Sequence, residues 1–333
     1  MLTTSSLSIG YHHPLASNLN LELHPAELVC LIGPNGVGKS TLLRTLAGME
    51  KPLAGTVWLQ HDNLHHLPAM ELAKRLAIVL TGRVESPLLT AYELVSLGRY
   101  PYTDWLGRLT ARDEVAVRHA MHLTDTWRFQ ARPLAQLSDG ERQKVMIARA
   151  LAQEPKVLLL DEPTAFLDLP RRVDLLQLLR RLARETQTAI LLSTHDLDLA
   201  LRLADRLWLF SSNGTMEIGL PEALALNGAI ARVFQSEGAY FDHAIGAFRV
   251  HQAIHGPLTL EGDGYGITAA WTWRALERLG YEVHNGKSRY PLRVEILAES
   301  HWRLVTPSTQ TDHFSLESLL TQIAQFHSHE NLL

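Results

Sequence analysis

At 333 residues the chain is too long for one compact core and long enough for two domains. Apolar residues make up 46% and charged residues 20%, an ordinary globular balance, and a formal net charge of −4 supplies no basic field, so nucleic acid is not an expected partner. A single cysteine, Cys30, excludes an internal disulfide framework and suits a reducing compartment. The first residues, MLTTSSLSIG, have no basic stretch leading into a long apolar one, and nowhere do eighteen apolar residues run together. The expectation is a soluble, cytoplasmic protein.

In chain order, SLSIGY, LNLEL and LVCLIG (28–33) read as short strands. GPNGVGKST (33–41) follows, then a helix with Leu42, Leu43 and Leu46 at helical spacing, closed by Gly48. GTVWLQ (55–60) and LAIVL (76–80) are strand-like. Residues 86–153 change character, with helices expected over 92–97, 113–123 and 140–153. Strands resume at VLLLD (157–161) and AILLST (189–194), with an amphipathic helix over 173–185 between them. Fully apolar strands alternating with helices predict a parallel sheet buried on both faces. A boundary is expected near Pro221. Beyond it, strands over 248–252, 290–297 and 302–307, and helices over 269–280 and 315–326, predict a small α+β domain.

GPNGVGKS fits G-x-x-x-x-G-K-[ST], a phosphate-binding loop. Glycines let successive backbone N–H groups converge on one anion, and the following helix adds its positive end. Lys39 can reach the β- and γ-phosphates, and Ser40 can give an oxygen to Mg²⁺. VLLLDEP then ends a strand in two carboxylates: Asp161 is placed to hold Mg²⁺, and Glu162 to orient and deprotonate a water. In STHD (193–196), His195 can donate to a γ-phosphate. LSDGERQ (137–143) opens a helix and forms a second anion site around Ser138 and Gly140, or else a simple N-cap. Two phosphate-binding devices thus stand in different subregions for one nucleotide.

Phosphate loop, LSDGE, LLLDEP, the LD of TAFLD, and STHD, in that order, resemble the ATP-binding cassette (ABC) ATPases over about residues 1–220. The resemblance implies an α/β P-loop NTPase fold with a helical signature subdomain at about 86–153, followed here by the accessory domain 221–333. It implies ATP and Mg²⁺ as cofactors and a head-to-tail dimer with a second copy. Each ATP would lie between one chain's phosphate loop and its partner's signature turn. Tyr11 would stack on adenine. Gly33, Asn35, Gly36, Gly38, Lys39, Ser40 and Thr41 would hold phosphates and metal. Ser138, Asp139 and Gly140 would reach the partner's γ-phosphate. Asp161 would serve Mg²⁺, Glu162 would be the base, Asp168 would meet the partner's phosphate loop, and His195 would be the switch.

Two departures from the family pattern stand out. Asp139 replaces a usual glycine and sets a carboxylate near a γ-phosphate, which is unfavourable unless it turns toward helix-capping N–H groups. Thr81 stands where the family has a glutamine that touches Mg²⁺ and couples to membrane subunits; its hydroxyl is shorter but could serve through water. VSLGRYPYTDWLGRLTARDE (95–114) resembles the cassettes of importers for iron–siderophore complexes, haem and cobalamin. That branch implies two integral-membrane permease subunits, an external binding protein acting indirectly, and a peripheral position on the cytoplasmic side of the membrane. It places the stretch 83–102 against the permease. A soluble cassette acting as an assembly or mechanical factor, and a module that binds ATP without turnover, are the alternatives. EGDGYG (261–266) could cradle an anion, though a flexible loop is the plainer reading.

Overall fold

The computed structural model describes residues 1–82, 88–235, 239–242, 246–250, 255–262, 266–286 and 290–330. It divides into two compact units, Met1–Gln235 with Phe241–Ala247, and Ser236–Tyr240 with Phe248–Leu333. The expected division near Pro221 falls short of this. Helices Pro221–Leu226 and Ala229–Val233 bury Leu224, Ala229, Ile230 and Val233 in the first unit's core, so that unit runs on past them.

The first unit is built on a six-stranded sheet in the order Met216–Gly219, Arg206–Phe210, Leu28–Ile32, Ala189–Ser193, Val157–Leu160, Leu76–Val79. All neighbours are parallel except the first pair. The strands read as unbroken apolar runs because both faces are covered. Cys30, Ile32, Leu158 and Leu192 face one core, shared with the helices that follow. Val29, Leu31, Leu159 and Leu191 face another, shared with helix Lys39–Leu46 and an antiparallel sheet that includes Leu2–Gly10 and Ala54–Leu59. Cys30 has no exposed surface, and burial pushes its thiol pKa up. A thiol-specific reagent is therefore expected to modify Cys30 only in denaturant; labelling of the native chain, followed by mass spectrometry, would contradict this burial.

The helical insertion packs Ala91–Ser96, Ala111–Leu123 and Asp139–Leu151 against one another. Each begins with a reciprocal capping box: Thr90 with Glu93, Thr110 with Asp113, Ser138 with Glu141. At its centre lies Arg99, 1% exposed, in the 3₁₀ turn Leu97–Tyr102. Its Nε donates to Asp113 Oδ1 at 2.8 Å, and its Nη1 to the Ala152 carbonyl and Glu154 Oε2, both at 2.7 Å. The Tyr102 ring stacks on the guanidinium at 3.9 Å. Beside it the backbone at Gly98 crosses helix Asp139–Leu151 so closely that a Cβ there would stand 2.1 Å from the Arg149 carbonyl oxygen. Within the expected permease-facing stretch, Leu97 and Tyr100 are exposed; residues 83–87 lie outside the described residues.

The second unit has a five-stranded sheet in the order Glu282–Asn285, Pro257–Glu261, Arg293–Ala298, His301–Val305, Gln310–His313. The first three strands are parallel and the last two antiparallel to their neighbours. Helices Ile267–Arg278 and Leu316–Glu330 cover one face. Leu258, Leu260, Val283, Val294 and Leu304 from the strands meet Leu276, Leu319 and Ile323 from the helices in a common core. Trp273 packs against that core, whereas Trp271 is 59% exposed. Residues 251–252 of one expected strand and 263–265 of EGDGYG lie outside the described residues.

Candidate active site

Three adjacent parallel strands deliver the site. Leu28–Ile32, Ala189–Ser193 and Val157–Leu160 are in register, with Leu31 beside Ser193 and Leu160 beside Leu192. Their carboxyl ends therefore bring together the loop at Gly33, the pair Asp161–Glu162, and His195. Open α/β sheets place ligands at this edge.

The phosphate loop curls through left-handed backbone at Gly36 and Gly38, φ 76° and 108°, a conformation that a side chain at Gly38 would strain. Gly38 caps helix Lys39–Leu46 with no side-chain hydrogen bond, so the first-turn N–H groups face the loop. Lys39 is buried, and its Nζ donates to the carbonyls of Gly33 at 2.8 Å and Pro34 at 3.0 Å. Burial lowers its pKa, and the carboxylates of Glu162 and Asp161 oppose that shift. Thr41 is also buried, while Asn35 is exposed on the loop.

Asp161 is 4% exposed. Its Oδ1 accepts from Ser40 Oγ at 3.1 Å and from Ser193 Oγ at 2.8 Å. A buried carboxylate held by two hydroxyls is a hard-oxygen donor set that fits Mg²⁺. Glu162 has left-handed backbone, φ 48°, rare for a residue with a Cβ and common at functional sites. Its N–H donates to Ser193 Oγ at 2.8 Å, and its Oε1 accepts from His195 Nε2 at 2.5 Å. A glutamate so held, half-exposed and paired with a histidine, can take a proton from water.

Thr81 lines a cleft with Gly82, Asp139, Arg142, Glu162 and Phe166. Ser138 caps its helix: its Oγ donates to Glu141 Oε2 at 3.0 Å and accepts from the Glu141 N–H. The hydrogen bond from the Ser138 N–H, followed by its hydroxyl and the charges of Arg132 and Arg128, keeps the Glu141 carboxyl below the usual range. Asp139 Oδ1 accepts from Arg142 Nη1 at 3.1 Å, so a guanidinium one turn on in the same helix offsets the negative charge. Gly140 packs near Arg171 of the same chain. Asp168 caps helix Leu169–Thr186 through the Arg171 N–H. Tyr11 is 61% exposed, and its hydroxyl donates to Glu50.

The sequence alone singled out neither Ser193 nor the pair Glu141–Arg142. The spacing Ser138-x-x-Glu141 carries a readable capping-box signal. Ser193 carries none, being an ordinary hydroxyl at a strand end.

Residues 16–165 match the family model described as ABC transporter, and residues 255–324 the one described as iron ABC transporter C-terminal domain. An uncharacterized ABC transporter ATP-binding protein of Methanocaldococcus jannaschii is 43% identical over 251 residues, 75% of this chain and 87% of that protein. The chain belongs to the ATP-binding subunits of ABC transporters. The achromobactin transport ATP-binding protein CbrD of Dickeya dadantii is 39% identical over 234 residues, 70% of this chain and 87% of that one. A dimeric ATP-binding cassette in a post-hydrolysis state, bound to ADP and Pi, superposes with a TM-score of 0.57 at 28% identity. The match covers 66% of this chain and 99% of that cassette. This ABC ATPase is thus an ATP-hydrolysing subunit of the importer kind, with the P-loop fold that the motifs imply and a small C-terminal domain of the iron-transporter family.

Proposed function

We propose that this ABC ATPase powers uptake of an iron chelate of the siderophore kind through a pair of membrane permease subunits. The observation that carries the cargo class is the iron-transporter C-terminal domain over 255–324, fused to a full set of nucleotide-site residues. The similarity to an achromobactin transport subunit supports the same class. Among the described residues no helix is long and apolar enough to cross a membrane, which fits a chain that sits peripherally on the cytoplasmic side and reaches the external binding protein only through the permease.

Two copies would pack head to tail. Lys39, Gly33, Asn35, Gly36, Gly38, Ser40 and Thr41 of one would hold the triphosphate against Ser138, Asp139 and Gly140 of the other. Tyr11 would stack on adenine, and Asp168 would cap its helix while facing the partner's loop. The likeness to a dimeric cassette supports this arrangement. Ser40 and Asp161 would hold Mg²⁺, and Thr81, which lines a cleft with Glu162, would reach it through water; the ion, when bound, supplies charge neutralisation at the phosphates. Glu162 takes the proton of the attacking water, and His195 senses the γ-phosphate. Closure is favoured because groups of both copies contact one phosphate only in the closed state.

Uptake of radioiron-loaded chelates, haem and labelled cobalamin in a strain lacking this gene tests the cargo. Iron-chelate uptake is expected to fall to background, and to return with the wild-type gene but not with Glu162→Gln. Loss confined to cobalamin or haem would overturn the cargo class.

A further inference from the structure

We infer that Ser193 is a positioning residue that sets the metal carboxylate and the catalytic base at once. The inference rests on the roles proposed above for Asp161 and Glu162. Ser193 has no exposed surface, so its single proton and its lone pairs are spent inside the protein. Asp161 accepts only, which fixes the proton toward Oδ1 at 2.8 Å. The oxygen is then left to accept the Glu162 N–H at 2.8 Å. The result is a directed chain from the Glu162 amide through the Ser193 hydroxyl to the Asp161 carboxylate, and each link polarises the next.

This chain has a specific task. Glu162 sits at φ 48°, a conformation that a side-chain-bearing residue holds only when its surroundings impose it. The bond to its N–H is one such restraint. The other is His195, two residues beyond Ser193 on the same strand end, which grips the Glu162 carboxylate. One strand terminus therefore holds the base by backbone and by side chain. On the carboxylate side, Ser40 and Ser193 share Oδ1 of Asp161. If Ser40 turns its oxygen to a cation, Ser193 remains to keep Asp161 aimed. Its hydroxyl is thus asked for geometry, not for proton transfer, since its proton points into a carboxylate and not toward water.

The test compares Ser193→Thr with Ser193→Val, which add the same bulk to the buried site and differ in the hydroxyl. Ser193→Ala and Glu162→Gln run in parallel on the full-length chain, with the thermal midpoint of each recorded. Ser193→Thr is expected to keep turnover within a few-fold of wild type. Ser193→Val and Ser193→Ala are expected to lose about 10- to 100-fold in kcat, the scale on which small misplacements act. The second readout is binding of a fluorescent ATP analogue. Its affinity without Mg²⁺ should match wild type in all Ser193 variants, while the gain on adding Mg²⁺ should shrink in the Val and Ala variants alone. Equal turnover and equal Mg²⁺ gain in the Thr and Val variants would overturn the inference. So would losses that merely track the thermal midpoints. If Glu162→Gln itself turned over normally, the failure would lie with the proposed base instead.

Discussion

Glu162→Gln is expected to reduce ATP turnover by roughly 10²–10⁴-fold, the usual contribution of a positioned general base, while nucleotide binding persists. The amide keeps the shape of the carboxylate but cannot take a proton. The phosphate loop that binds the nucleotide rests on other contacts, the Lys39 Nζ bonds to Gly33 and Pro34 and the turn at Gly36 and Gly38. His195 can still donate to the amide oxygen, so the pairing now at 2.5 Å survives in kind. Phosphate release under single-turnover conditions, set beside binding of labelled ATP, separates the two effects. A variant that hydrolyses within a few-fold of wild type would remove Glu162 from the chemistry.

Arg99→Met is expected to cost about 3–5 kcal/mol, because it strips the cation from a buried pair and leaves Asp113 behind. Both side chains are almost wholly buried, 1% and 3% exposed, so solvent screens little of the loss. Glu154, half-exposed, adds little to the sum. A loss of that size should lower the thermal midpoint by on the order of 10 °C for a unit of this length. The pH dependence carries a sign. Burial pushes the Asp113 carboxyl up, but bonds from Thr110 and Arg99 outweigh it and hold the pKa below the ordinary value. A depressed carboxyl gives stability above its unfolded pKa and loses it as pH falls through the folded value. Without Arg99 the folded value rises, so acid unfolding should begin at higher pH than in wild type. Circular dichroism melts across an acid series measure both; an unchanged midpoint would show that the guanidinium is not what holds the insertion together.

The parts of this molecule that were legible in its sequence are those where chemistry demands unusual residues at fixed spacing. A loop that must approach phosphate backbone-first needs its glycines, and a carboxylate pair after four apolar residues can only end a buried strand. The apolar runs at 28–32, 157–160 and 189–193 announced a sheet covered on both faces. Roles made by tertiary contact left no such trace. Arg99 sits in a Pro-containing stretch that the family resemblance places at a partner-facing surface, and only the packing of three helices reveals it as buried. Ser193 is one hydroxyl among many until Glu162 and Asp161 arrive beside it from the neighbouring strand. Asp139 was readable as a charge in the wrong place, but its partner Arg142 comes from the first turns of its own helix. In the second unit the strands Pro257–Glu261, Glu282–Asn285 and Gln310–His313 went unread. They are four or five residues long and carry charged or polar side chains on one face, which blurs the apolar signal.

The close crossing at Gly98 joins two duties in one solid piece. Backbone rests on backbone there, and the Arg99 guanidinium rivets the same junction on its far side. A tilt of the helix capped by Ser138 would therefore carry the outward side chains Leu97 and Tyr100 with it, as the arms of a rocker share one pivot.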